Sequence, residues 1–317
     1  MISRRLNSRA ERPLTKNEKR DELIMPETAL EGIIPILLTP FDPAGRIDVD
    51  GLQSQIDYNI AAGVHGLGVA LGSEIFKFTE AERGSLVGAV VDHVRGRVPV
   101  IINTGAAGTD LAVHYSRLAA DAGADALMVM PPSFMPASAD EIAHYYVALS
   151  WAVDVPIILQ DVPQAPIPAA LALRVADEAP TARYIKVETL PIVAKVAAMA
   201  DAAANRLTIF GGAGGSYFIE EMRRGARGTM PFSSQPADFV KVWNLFQSGD
   251  EAGARRHFDR TIMSINRLAV QSGDLFYHVH KQLLVRRGVI ASATVRAPTM
   301  SIDATTQREI DMTLAAL

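Results

Sequence analysis

The chain has 317 residues, 49% of them hydrophobic, with a formal net charge of −4 and no cysteine. That charge balance offers no basic field, so neither nucleic acid nor an anionic membrane is expected as a partner. The absence of cysteine excludes disulfides, thiolate zinc sites and cysteine nucleophiles, and fits a reducing, cytoplasmic setting. No apolar run approaches the ~20 residues of a membrane-spanning helix.

Residues 1–30 are polar and charged. Arg4, Arg5, Arg9, Arg12, Lys16, Lys19 and Arg20 are interspersed with Glu11, Glu18, Asp21 and Glu22, without apolar periodicity. A disordered or loosely packed arm is the expectation. No apolar stretch follows Arg4-Arg5, which rejects a twin-arginine signal, and the acids count against a mitochondrial presequence. Met25 is a second candidate start.

From Gly32 a rhythm sets in. Short β-rich runs alternate with amphipathic stretches about every thirty residues, near the ~250/8 of a (β/α)₈ barrel. The predicted strands are 33–39, 66–71, 98–103, 126–130, 156–160, 184–187, 207–210 and 228–230. Each is apolar on both faces, as parallel strands covered by helices must be. Leu52, Ile56 and Ile60, four apart, mark the first helix. Thr79 and Glu82 form a capping-box pattern. Thr109 or Asp110 opens the third helix, and Ser138 or Asp140 the fourth. Strands stop after Gly249, and residues 251–270, 274–287 and 305–317 read as helices. The expected organisation is therefore an α/β (β/α)₈ TIM barrel over 31–249 with a C-terminal helical appendage over 250–317. An open doubly wound sheet is less suitable, because eight units can be counted and no Gly-x-Gly-x-x-Gly follows the first strand.

In barrels the chemistry sits at the carboxyl ends of strands. Ala182-Arg-Tyr-Ile-Lys-Val-Glu-Thr189 is an apolar strand ending in Lys186. Burying an ammonium costs free energy, a site that does so tends to lower its pKa, and a neutral amine attacks carbonyls. The bland alternative is a lysine that snorkels to solvent. Two residues on, Glu188 shares the face of Lys186 by strand alternation, as a base or a simple ion-pair partner. Gly211-Gly-Ala-Gly-Gly-Ser216 can cradle a phosphate. Equally, its glycines permit a tight turn or a close backbone approach. No histidine–carboxylate grouping has metal-ligand spacing, and His278 and His280, two apart on a helix, point to different faces.

Taken together, these pieces resemble the dihydrodipicolinate synthase / N-acetylneuraminate lyase family of class I, Schiff-base-forming aldolases and dehydratases. The matching pieces run in order: residues 32–41, Leu71-Gly-Ser-Glu74 with 79–83, 99–105, Asp161-Val-Pro163, Ile185-Lys186, Gly211-Gly212 and the stretch from Lys281 to Pro298. The resemblance implies a barrel with a C-terminal helical domain, a homotetramer or homodimer, no cofactor or metal, and Lys186 as Schiff-base former with a small 2-oxo acid substrate. It also exposes departures. Where the family has a proton-transferring tyrosine, this chain has Gln160, whose amide is no general acid or base near pH 7. The family's carboxylate-binding turn becomes Ala70-Leu-Gly-Ser-Glu74, leaving the Ser73 hydroxyl and the backbone of Gly72 and Ser73. A tyrosine and an arginine used by the synthases fall at Ser133 and Ala165, which counts against the synthase reaction.

The expectation is a lyase, aldolase or dehydratase, acting on pyruvate or a 2-keto-3-deoxy sugar acid. Lys186 would be the nucleophile. Gln160, Gly72, Ser73, Gly212 and Met230 would position substrate, and Glu188 or Glu74 would carry protons. The rivals are a 2-oxo-acid-binding barrel that lost turnover with the tyrosine, and a phosphosugar-binding barrel using 211–216.

Overall fold

The computed structural model describes residues 29–203 and 206–317. The readings on the N-terminal arm and on Met25 lie outside the described residues. Among the described residues no helix is long and apolar enough to cross a membrane.

Eight parallel strands alternate with helices in chain order: β1 (Gly32–Ile33), α1 (Val49–Ala61), β2 (Leu67–Val69), α2 (Glu80–Val94), β3 (Val100–Asn103), α3 (Thr109–Asp121), β4 (Ala126–Val129) and α4 (Ala139–Ala152). There follow β5 (Ile157–Asp161), α5 (Ala169–Glu178), β6 (Ala182–Val187), α6 (Ile192–Ala203), β7 (Thr208–Gly211), the short α7 (Phe218–Met222), β8 (Gly228–Thr229) and α8 (Pro236–Gln247). Each strand from β2 to β8 pairs with its neighbour in sequence, and β8 pairs with β1. The ring closes beyond β1, where Ile36 bridges to Gly68 on one side and to Phe232 on the other. The first strand is shorter than its apolar run suggests. Regular pairing covers only Gly32–Ile33, and residues 34–41 run on, buried, as extended chain.

Local chemistry accounts for the helix starts. Thr79 and Glu82 form the anticipated capping box, and Ser138 with Glu141 forms a second. Asp48 caps α1 through the amide of Gly51. Strand alternation then sorts the core into two regions. Ile34, Ile36, Ile101, Met128, Ile158, Tyr184, Phe210 and Met230 fill the barrel. Ile185, Val187, Leu127, Leu159 and Ile209 face outward and join the helices in a second, larger cluster. Such layered filling makes the barrel interior a packed core, and the open space lies at the strand ends.

Three further helices, α9 (Glu251–Ala269), α10 (Leu275–Arg286) and α11 (Ala304–Ala315), form the C-terminal appendage. They share a core of Ile265, Leu268, Leu275, Val279, Leu283, Ile310 and Leu314. A buried ion network ties this appendage to the barrel. Glu74, Lys281 and the backbone of Arg296 meet there, and the Tyr277 hydroxyl donates to the Leu71 carbonyl at 2.6 Å. The helices therefore lie over the carboxyl ends of the strands and wall one side of the site.

Candidate active site

β6 carries the central pair. Tyr184 points into the barrel, Ile185 outward, Lys186 inward, Val187 outward, and Glu188 follows inward just past the strand. Lys186 is only 5% exposed. Its Nζ lies 3.0 Å from Glu188 Oε1. The same Oε1 accepts the Ala213 amide at 3.0 Å, and Oε2 is 3.4 Å from Gln160 Nε2. Asn103 Nδ2 donates to Gln160 Oε1 at 2.9 Å. That contact fixes the orientation of the Gln160 amide and turns its N–H groups toward the carboxylate.

The loop that carries Glu188 is itself held. Asp161, fully buried at the end of β5, accepts the Ile167 amide at 2.7 Å, the Thr189 hydroxyl at 2.7 Å and Lys195 Nζ at 2.6 Å. The amides of Glu188 and Thr189 also reach it, at 3.3 and 3.2 Å. A carboxylate satisfied from this many directions pins the β6–α6 connection, so the Lys186–Glu188 geometry is preorganised.

A cavity of about 420 Å³ opens above the pair. Lys186, Glu188, Gln160, Gly72 and Met230 all line it. At Gly72 a Cβ would strike Phe232 and Ile36, so only glycine lets this turn lie against the cavity wall.

Two residues expected to touch substrate do not line the cavity. Ser73 is fully buried; its hydroxyl donates to the Leu37 carbonyl and accepts the Ala70 amide. It braces the turn, because a hydroxyl whose one proton is spent on a backbone carbonyl inside the protein has none to donate to a substrate carboxylate. Gly212 stands behind Glu188, where a Cβ would collide with the glutamate side chain; it makes room for the carboxylate. Glu74 is no proton carrier either, being fully buried and bound to Lys77, Lys281 and the Arg296 amide. The phosphate cradle is taken as well. The Ala213 amide already serves Glu188, and a phosphate beside that carboxylate would meet like charge.

Sequence reasoning gave Asn103 no role, and it missed Glu221 altogether. Glu221, on α7, packs against Gly211 on the helix side of β7, while Glu188 packs against Gly212 on the cavity side. Both Glu221 oxygens are buried without a hydrogen-bond partner among the described residues. Burial first, and then the nearby Glu188 charge, push its pKa up to about 8 from 4.5. The only sequence signal was a pair of acids, Glu220 and Glu221, within the short Phe218–Met222 run. An acid whose folded pKa is raised stays protonated in the fold while it ionises in the unfolded chain. Stability is therefore fully present below about pH 4.5 and declines as pH rises toward 8. Glu221→Gln is expected to remove this slope, on the order of 1 kcal/mol per pH unit. Thermal melts of both proteins at acid and alkaline pH would reveal it, and parallel pH curves would refute it.

A family model described as the dihydrodipicolinate synthetase family matches residues 29–317. The chain belongs to the dihydrodipicolinate synthetase family. Membership makes it an enzyme, a lyase of the class I aldolase type. It is 29% identical over 287 residues to the L-2-keto-3-deoxyarabonate dehydratase of Azospirillum brasilense, covering 88% of this chain and 92% of that one. It is 33% identical over 239 residues to the 4-hydroxy-tetrahydrodipicolinate synthase of Sorangium cellulosum, covering 73% of this chain and 78% of the relative. Among solved structures it superposes on YagE, a prophage protein of the dihydrodipicolinic acid synthase family from E. coli K12 in complex with pyruvate. That match has a TM-score of 0.84 at 26% identity over 91% of this chain and 98% of YagE. Dihydrodipicolinate synthase from Rhodopseudomonas palustris gives 0.83 at 27%, over 91% and 98%. The fold expected from the strand rhythm and from the resemblance is thus the family's fold.

Proposed function

We propose that this enzyme forms a Schiff base between Lys186 and a 4-hydroxy-2-oxo acid, the reacting group that the 2-keto-3-deoxy sugar acids share, and eliminates water from it with Glu188 as acid–base. The observation that carries this reading is the 3.0 Å contact between Lys186 Nζ and Glu188 Oε1 at the cavity floor, beside an amide where the family has its tyrosine. A carboxylate in that position replaces the missing proton carrier. The dehydratase among the relatives supports the elimination.

Each step then has a group to perform it. Glu188 takes a proton from the Lys186 ammonium, the neutral amine attacks C2 of the substrate, and Glu188 returns that proton to the C2 hydroxyl, which leaves as water while the protonated imine forms. The substrate carboxylate lies against the turn at Leu71 and Gly72, which line the cavity. The imine draws electrons from C3, Glu188 removes a C3 proton, and the C4 hydroxyl departs as water with that proton. Hydrolysis of the imine releases the product and restores the amine. Gln160, held by Asn103, steadies Glu188 and carries no proton itself. Copies of the chain associate as a homotetramer or homodimer in this reading. The tip after β4 supports it, with Phe134 and Met135 85% and 68% exposed.

Borohydride trapping tests the reading. Incubation with pyruvate, reduction and intact mass measurement is expected to add the mass of the reduced adduct to the native protein and nothing to Lys186→Ala. An unmodified native protein would remove the Schiff base and leave a barrel that only binds 2-oxo acids.

A further inference from the structure

The cavity above Lys186 extends well beyond what a three-carbon acid fills. Its volume, about 420 Å³, falls in the roughly 300–1,000 Å³ range of clefts that hold drug-sized ligands. Beyond Lys186 and Glu188, no charged side chain among the described residues lines it. The outer wall is Val162, Pro163, Met230, Phe232, Val270 and Phe276. Phe232 and Phe276 stack with centroids 5.1 Å apart and planes 21° from parallel, and both remain half-buried. Val270, 72% exposed, stands at the mouth.

The few polar groups along this wall are largely engaged within the protein. Asn266 Nδ2 donates to the Gly214 carbonyl at 2.9 Å and to Ser216 Oγ at 3.0 Å. His280 is buried and bonds Ser234 Oγ through Nδ1 at 2.7 Å, while its Nε2, without a partner among the described residues, is the one polar atom left over on this histidine.

We propose that the substrate tail beyond C4 is uncharged and apolar, and that an aromatic ring packed against the Phe232–Phe276 pair is its preferred form. The inference rests on the Schiff-base reading above. A second carboxylate or a phosphate would be buried here with no cation to pair it. A chain of hydroxyls would give up water for few partners. A ring would exchange water for apolar wall and two aromatic faces. With 4-hydroxy-4-phenyl-2-oxobutanoate, a proton leaves C3 and hydroxide leaves C4. The products are water and the conjugated 3-ene-2-oxo acid, with no oxidant or reductant required.

Trapping with 2-oxo acids that differ only in the tail tests this apart from turnover. The native protein would be reduced with borohydride in graded pyruvate, 2-oxo-4-phenylbutanoate, 2-oxoglutarate and 2-keto-3-deoxyarabonate, and the adduct fraction weighed. The phenyl acid is expected to half-saturate at a concentration about a hundredfold below that of 2-oxoglutarate, and well below the polyol. Val270→Lys, altered at an exposed position, is expected to narrow the gap to 2-oxoglutarate about tenfold by supplying a cation. Phe276→Leu is expected to weaken the phenyl adduct several-fold more than the pyruvate adduct. A pyruvate adduct accompanied by equal or better trapping of the polyol or diacid would overturn the tail assignment and leave the Schiff base standing. Absence of every adduct, pyruvate included, would overturn both.

Discussion

Glu188→Gln is expected to lower turnover by about 10²–10⁴ while the Lys186 adduct remains trappable. The change keeps the shape and hydrogen-bonding reach of the side chain but removes its ability to exchange a proton. The contacts that hold Glu188 are to Ala213 N, Gln160 Nε2 and Lys186 Nζ, so a glutamine can retain most of them. Adduct formation slows, because Glu188 also relieves Lys186 of its proton, yet it proceeds with water as the proton acceptor. Separate measurements of kcat and of the trapped fraction distinguish these effects. Full turnover in Glu188→Gln would assign the proton to another group. A variant that makes no adduct at all would mean that Glu188 acts on the lysine alone. Gln160→Glu provides the complementary test, since a second carboxylate 3.4 Å from the first would disfavour ionisation of both.

Glu74→Ala is expected to cost about 3–5 kcal/mol of unfolding free energy, far more than Lys186→Ala. Glu74 and Lys281 are both fully buried and meet at 2.5 Å. Lys281 also donates to the Thr294 carbonyl at 2.9 Å and lies 4.4 Å from the Phe41 ring centre. Lys77 and the Arg296 amide occupy the other Glu74 oxygen, each at 3.0 Å. Deleting the glutamate strands a buried lysine, which is the costly way to break such a pair. The site should register the change as well. Glu74 follows the Leu71–Ser73 turn directly, and α10 grips that turn through Tyr277. Loosening the appendage therefore raises KM along with lowering stability. Urea unfolding monitored by far-ultraviolet circular dichroism measures the first effect; a loss under about 1 kcal/mol would place this pair with surface ion pairs.

Several features of the site were legible in the sequence because they depend on local periodicity. Alternation along β6 put Lys186 and Glu188 on one face, whatever the remainder of the chain did. The capping box at Thr79 and the helix start at Ser138 depend on patterns of four neighbouring residues. The eight-fold rhythm and the family's pieces fixed the barrel and the strand end where the lysine sits.

Other features depended on contacts between residues far apart in the chain. Gln160 turns its amide toward Glu188 because Asn103, 57 residues away, holds its oxygen. Ser73, a plausible substrate hydroxyl by motif, is spent on Leu37 once the turn packs against the first strand. Glu74 looks like a proton carrier until Lys281, 207 residues on, arrives beside it. The apolar outer wall exists only because Val270 and Phe276, from the C-terminal helices, come to stand over the barrel. Strand and helix periods decide which face a residue occupies. Closure of the barrel and docking of the appendage decide what that face meets, and no pattern confined to neighbouring residues encodes it.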